Sequence, residues 1–235
     1  MTDPIFGDCG PLRVGSFRRL TPPGIRMEDL PPIHDVLISH SHYDHLDAPA
    51  IRQLGNAVRF WVPAGLGNWF RQRGIAECRE LGWWESEALS DEIAIHSVPA
   101  QHASGRTPFD RNRTHWCGWV LKSAERSIYF AGDSGYAPLF QEIGRRFGGV
   151  SLAMIPIGAY EPRWLMQPMH MNPAEAVQVH LDVGSQLSVA CHWGTFRLTD
   201  EPLNAPPEML GRELLAQNVA PESFLVLRPG VAIEV

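Results

Sequence analysis

The sequence predicts a layered α/β domain with helices covering sheets, and three observations predict it. Short apolar runs recur between turn residues, helical patterns sit between some of those runs, and histidines and aspartates gather where the runs end. The runs are rich in β-branched and aromatic residues and too short for ordinary helices, so each reads as a strand. They are "DVLIS" (35–39), "VRFWV" (58–62), "IAIHSV" (93–98), "WCGWVLK" (116–122), "SIYFA" (127–131), "VSLAMIP" (150–156), "LSVAC" (187–191) and "FLVLR" (224–228). The clearest helix is "NPAEAVQVHLDVG" (172–184). Asn172 caps it, Pro173 suits its first position, Glu175 completes a capping box and Gly184 closes it, while Ala174, Val177 and Leu181 give an apolar face. Residues 48–54, 65–73, 137–146 and 207–217 are further helix candidates. Prolines in "TPPG" (21–24), "LPPI" (30–33) and "NAPPE" (204–208) mark turns, because the ring fixes φ and removes a donor. No internal repeat or Gly/Ser linker interrupts the pattern, so residues 1–235 are expected to form a single domain.

Composition narrows the function. The chain has 20 basic and 26 acidic residues, a net charge of −6, and no Lys/Arg cluster that would track a phosphate backbone, which argues against nucleic acid as a partner. Four scattered cysteines (Cys9, Cys78, Cys117, Cys191) lack CxxC spacing and read as reduced and mostly buried, which suits a cytoplasmic protein. No run approaches the ~20 apolar residues of a membrane span, and "MTDPIFGDCG" lacks the regions of a signal peptide, which leaves only peripheral membrane contact open.

The chemistry concentrates in "ISHSHYDH". An apolar strand ends at Ser39 and a loop follows, the place where layered α/β folds put functional groups. His40 and His42, one residue apart, can turn both imidazoles to one ion, and Asp44 and His45 can serve a neighbouring ion, so this loop could hold half of a two-metal site. Downstream, His102 follows "SVPAQ", Asp133 sits between two glycines in "FAGDSGY", and His192 follows "LSVAC". Any one of them alone would read as a satisfied polar residue. Together they repeat one arrangement, a ligand-type side chain at a strand end.

The pattern HxHxDH, then His, then Gly-Asp, then His after a strand resembles the metallo-β-lactamase superfamily. "TDPIF", "HSHYDHLD", "PAQH", "FAGDSGY", "MHMNPAEAV" and "HWGTF" are similar to its N-acylphosphatidylethanolamine-hydrolysing phospholipase D branch and bacterial relatives, from Thr2 to about Pro207. The resemblance implies an αββα sandwich in which His40, His42 and His102 bind one zinc, Asp44, His45 and His192 the second, and Asp133 bridges both. It implies a hydrolase in which a metal-bound hydroxide cleaves a phosphodiester, of a small molecule or a lipid. Asp44 and His170 are then the candidate catalytic residues. Imidazole and carboxylate ligands suit two Zn2+ ions, and iron or manganese would accept the same mixed set. A lactonase or other ester hydrolase on the same metals, and a metal-binding protein without catalysis, are the alternatives.

Around this set, His170 in "MQPMHMNPAEA" precedes the capped helix, where the resembled branch places a histidine beside the metals; the resemblance implies substrate contact. Trp164, Met166, Met169, Met171 and Trp193 are either a wall for an acyl chain or core. Ser104, Arg106 and Arg111 offer a phosphate clamp, with a solvated loop the plainer reading. Asp3 and Asp47 are expected to orient metal-bound imidazoles, unless Asp3 only forms a turn and Asp47 only caps a helix. His34, His96, His115 and His180 read as structural, and Cys191 as a buried strand residue. Members of the superfamily carry strands ahead of "TDPIF" that this chain lacks. A bare sheet edge is therefore expected, and a compact variant, a homodimer or a shortened chain would each account for it.

Overall fold

The computed structural model describes residues 1–10 and 18–234. The first sheet has the order β1 (Asp35–Leu37), β2 (Arg59–Pro63), β3 (Cys78–Leu81), all parallel. Parallel neighbours need a crossover, and α1 (Ala48–Leu54) and α2 (Gly67–Arg71) supply the two. The second sheet runs β10-β9-β8-β7-β6-β5-β4. Its antiparallel part is β4 (Ser86–Ala88), β5 (Ala94–Val98), β6 (Gly118–Lys122) and β7 (Ser127–Phe130). Its parallel part continues from β7 through β8 (Val150–Pro156), β9 (Ser185–Cys191) and β10 (Phe224–Leu225). Helices α3 (Leu139–Phe147), α4 (Arg163–Met166), α5 (Pro173–Asp182) and α6 (Ala205–Ala216) lie in the connections of that parallel part.

Strand alternation builds the four layers. Val36 of β1, Ile38 just after it, and Phe60 and Val62 of β2 face outward and pack with Ile51 of α1 and Phe70 of α2. The intervening Leu37 and Trp61 face inward and meet Ile95, Trp119 and Phe130 of the second sheet. The far side of that sheet, with Val120, Tyr129, Ala153 and Ile155, packs against Phe140, Val177 and Leu210 of α3, α5 and α6. Full burial of each Val, Leu, Ile or Phe among them is worth about 1.5–3 kcal/mol. The inward tryptophans also satisfy their indole donors: Trp61 Nε1 donates to Asp35 Oδ1 at 2.8 Å and Trp119 Nε1 to the Ile38 carbonyl at 3.0 Å.

The expected strands and helices form with shifted ends, and three expectations change. In α5 the buried residues are Ala176, Val177, Val179 and His180, while Leu181 is 48% exposed and Ala174 half-buried. The helix is held between sheet and α6, and His180 takes a core position because its Nδ1 pairs with Ser188 Oγ at 2.8 Å. Strands β3 and β4 come from the segments "CREL" and "SEA", which lack an apolar run and are set by pairing with β2 and β5. The edge of β1 is not bare: Leu37 N donates to the Met1 carbonyl at 2.8 Å and Asp3 N to the Leu37 carbonyl at 2.9 Å. All four cysteines are free thiols; Cys9 and Cys117 are buried, whereas Cys78 and Cys191 are half-buried. No helix among the described residues is long and apolar enough to cross a membrane.

The capping box of α5 forms as the sequence predicts, with Glu175 N donating to Asn172 Oδ1 and Asn172 N to Glu175 Oε2, both at 2.9 Å. Asn172→Ala is therefore expected to lower the unfolding free energy by about 1 kcal/mol in urea titration. An unchanged midpoint would mean that the cap contributes nothing.

Candidate metal centre

The candidate ligands leave the ends of four strands, β1 of one sheet and β5, β7 and β9 of the other, and they meet where the two sheets come together. Gly132 makes the approach close. It adopts φ +62°, and a Cβ there would sit 2.7 Å from Ser39 Cβ and 3.0 Å from the Cys117 carbonyl oxygen. The neighbouring Asp133 is thereby pressed against the histidine loop. His192 also sits in the left-handed region, at φ 55°, where its chain turns sharply out of β9.

Three imidazoles form one group. His40 Nε2 lies 2.9 Å from His42 Nδ1, and His102 Nε2 lies 3.2 Å from the same atom. Hydrogen bonds on the far side of each ring fix which nitrogens face inward. Ser39 Oγ donates its one proton to Asp3 Oδ2 at 2.6 Å, so it accepts from His40 Nδ1–H at 2.9 Å, which leaves His40 Nε2 as a lone pair. The Met169 carbonyl accepts from His102 Nδ1–H at 2.9 Å and leaves His102 Nε2 as another. Burial, then neighbouring imidazoles, hold His40 well below its usual pKa. Burial lowers His102 to about 3. Lone pairs this close repel unless a cation or proton lies between them.

Asp44, His45, Asp133 and His192 form the second group. Asp133 Oδ2 is 3.1 Å from His45 Nε2 and 3.3 Å from His192 Nε2, and Asp44 Oδ2 is 3.3 Å from His192 Nε2. Asp3 Oδ2 accepts from His45 Nδ1–H at 2.7 Å, so His45 presents Nε2 to the centre. Burial opposes ionisation of Asp133, yet the surrounding imidazoles outweigh it and hold the carboxyl well below the usual range. Conversely, burial lowers His45, but Asp133 and Asp44 outweigh it and pull the ring well above its usual pKa. This half of the cluster thus draws positive charge to itself. The buried Asp133 Oδ1 and His45 Nε2 have no hydrogen-bond partner among the described residues, as expected of atoms placed for a metal. The mixed imidazole and carboxylate donors fit zinc, iron or manganese.

Asp133 Oδ2 belongs to both groups, lying also 4.0 Å from His40 Nε2 and 3.8 Å from His102 Nε2. His170 joins them: its Nδ1 is 3.9 Å from Asp133 Oδ2, buried and without a hydrogen-bond partner among the described residues, and its ring stacks on His192 at 5.6 Å. Burial lowers His170 to about 4.

Other expected residues land elsewhere. Arg106 is neither clamp nor solvated charge; its Nη1 donates to the Ser41 and Leu46 carbonyls at 2.8 and 2.9 Å, gripping the ligand loop, and its guanidinium lies 3.9 Å over the Tyr43 ring. Sequence pattern alone gives no sign of this role. Ser104 is buried and bonds the Thr114 carbonyl, and Arg111 is exposed. Asp47 makes no side-chain cap and instead accepts from Phe6 N and Gly7 N, both at 3.1 Å. Trp164 is 81% exposed and Met171 fully buried, so the first is not core and the second is not wall. Met166 and Met169 are half-buried. Trp193 lines a cavity of about 420 Å³ that opens beside Asp44, His45 and His192, with Ile5, Phe6, Phe196 and Leu198 among its walls. Cys191 also reaches this cavity, so it is not merely a buried strand residue. Of the four structural histidines, His180 is buried, His96 packs on Phe147, His115 packs on Trp83 and His34 is exposed.

Residues 1–193 match the family model of the β-lactamase superfamily domain. The chain is 37% identical to an N-acyl-phosphatidylethanolamine-hydrolyzing phospholipase D of Caenorhabditis elegans, over 98% of this chain and 69% of that protein. It is 43% identical to an uncharacterized protein of Mycobacterium tuberculosis, over 89% of this chain and 58% of the relative. It is 35% identical to the mitochondrial N-acyl-phosphatidylethanolamine-hydrolyzing phospholipase D of Saccharomyces cerevisiae, over 92% and 48%. The chain thus spans about half to two thirds of the length of these curated relatives. Among solved structures, an isothiocyanate hydrolase from Delia radicum gut bacteria shares the fold with a TM-score of 0.77 at 19% identity, over 100% of this chain and 91% of that one.

Asp3 sets the orientation of His45 directly and of His40 through Ser39. Asp3→Asn is expected to weaken metal retention about ten- to a hundredfold, read as metal content after dialysis against graded chelator. Retention equal to the parent protein would show that the hydrogen-bond chain does not orient the rings.

Proposed function

The chain belongs to the metallo-β-lactamase superfamily of metal-dependent hydrolases, and on that footing we propose a dinuclear zinc phosphodiesterase that acts on a lipid or related small-molecule phosphodiester, of the N-acylphosphatidylethanolamine kind. The observation that carries this reading is the position of Asp133 Oδ2, within 4.0 Å of imidazole nitrogens from both ligand groups. His40, His42 and His102 would hold one ion, Asp44, His45 and His192 the other, and Asp133 both. Bound there, the ions would supply Lewis acidity, lowering the pKa of water and offsetting charge on phosphoryl oxygens. The similarity to phospholipase D relatives supports the phosphodiester over other esters.

The protein's own residues have separable tasks. Burial disfavours the Asp44 carboxylate, but His45 and His192 outweigh it and hold the group well below its usual pKa, so it stays ionised to receive a cation. His170 is kept neutral at physiological pH by burial. A neutral imidazole donates one hydrogen bond, and His170 is placed beside Asp133 to give that bond to a phosphoryl oxygen. The apolar walls of the adjoining cavity, Ile5, Phe6, Phe196 and Leu198, would exclude water and receive the non-reacting part of the substrate.

His170→Ala is expected to lower turnover of bis(p-nitrophenyl) phosphate about a hundredfold or more while metal content stays intact. Lost metal would make His170 a ligand, and unchanged turnover would remove it from the reaction. A matched panel of lactones and phosphodiesters tests the substrate class: preferential lactone hydrolysis would overturn the phosphodiesterase reading and leave the metal centre standing.

A further inference from the structure

Among the described residues, the two most exposed large apolar side chains are Phe109, at 84%, and Trp164, at 81%. Both stand on segments tied to the candidate metal centre. Phe109 is carried by the loop 104–114, whose Arg106 grips the Ser41 and Leu46 carbonyls and whose Gly105 N donates to Ser41 Oγ at 2.9 Å. Trp164 lies on α4, and the chain that follows it accepts from Gln101 Nε2 at the Pro168 carbonyl and from His102 Nδ1 at the Met169 carbonyl.

The loop is braced to hold its aromatic outward. Asp110 Oδ1 accepts from Arg106 N at 2.9 Å and Thr107 N at 2.7 Å, Ser104 N donates to Asn112 Oδ1, Asn112 N donates to the Ser104 carbonyl, and Ser104 Oγ donates to the Thr114 carbonyl. These bonds satisfy the interior of the loop and leave Pro108 and Phe109 facing solvent. Charge at the tip runs against the rest of the molecule. The chain as a whole carries −6, yet Arg111 and Arg113 are exposed and have no ion-pair partner among the described residues. The loop's one carboxylate, Asp110, is occupied by its own backbone amides. An outward aromatic on a loop that also carries two exposed guanidinium groups matches an apolar interior beneath an anionic surface.

We propose that the loop 104–114 is an interfacial anchor that seats the protein on an anionic lipid surface, with Phe109 entering the headgroup boundary, Arg111 and Arg113 meeting lipid phosphates, and Trp164 of α4 as a second contact. Because Arg106 fastens this loop to the Ser41–Leu46 backbone, docking there would hold the metal centre at a fixed position relative to the membrane. The choice of a lipid surface over a protein partner rests on the lipid-substrate reading above; the geometry of the loop does not.

The test is co-sedimentation of the intact chain with phosphatidylcholine vesicles and with vesicles containing phosphatidylglycerol. The expected result is binding to the anionic vesicles that weakens with salt, a loss of about fivefold for each of Arg111→Gln and Arg113→Gln, and a loss of about tenfold or more for Phe109→Asp. Phe109→Asp should keep the parent melting temperature and the parent rate on soluble bis(p-nitrophenyl) phosphate, since its side chain is solvent-exposed. Failure of the parent protein to sediment, or equal sedimentation of the variants, overturns the anchor. So does light scattering that shows Phe109→Asp breaking a dimer, with no change in vesicle binding. Vesicle binding through Phe109 by a protein that hydrolyses no phosphodiester would keep the anchor and remove the catalytic reading instead.

Discussion

Two carboxylates, the buried Asp133 and the half-buried Asp44, surrounded by the rings of His40, His42, His45, His102, His170 and His192, set the terms for the rest of the molecule. Such a cluster is unfavourable unless positive charge enters it, because ionised carboxylates lose their hydration and facing imidazole lone pairs repel. The protein prepares for that charge by fixing protons on the outer sides of the rings. Asp3, Ser39 and the Met169 carbonyl take the Nδ1 protons of His45, His40 and His102, and the inner nitrogens are left as donors to a cation.

The architecture follows from the need to bring distant chain segments to one point. One sheet contributes the histidine loop after β1, and the other contributes the ends of β5, β7 and β9. Their spacing depends on the layer between the sheets, where Trp61 and Trp119 are almost fully buried and bonded at their indole nitrogens. A cavity there would let the two halves shift, so core packing and ligand geometry are one problem. The apolar cavity beside Asp44 and His192 adds a place for the non-reacting part of a substrate without disturbing the donors.

Much of this was legible in the sequence because local rules and global fold agree. Strands that alternate across a sheet, the capping box at Asn172 and the recurrence of ligand-type residues after apolar runs all carry their own physical signal. The less legible features depend on tertiary partners. Leu181 lies on the exposed side because His180, paired with Ser188, takes the core position that periodicity would give to an apolar residue. Arg106 grips carbonyls far away in the chain, and nothing in "ASGRTPFD" reveals which carbonyls those are. Asp47 stands at a helix start yet serves the backbone of Phe6 and Gly7. Trp164, in a segment rich in methionine, reads as core or wall and is instead exposed.

The claim that these loops converge in order to hold a pair of cations is tested most directly by metal stoichiometry. Elemental analysis of the purified chain, beside Asp133→Asn, is predicted to give two divalent ions per parent chain and a marked loss in the variant, whose amide cannot bridge both with full negative charge. A parent protein that carries no stoichiometric metal after reconstitution, or a variant that keeps both ions at parental affinity, would contradict the account.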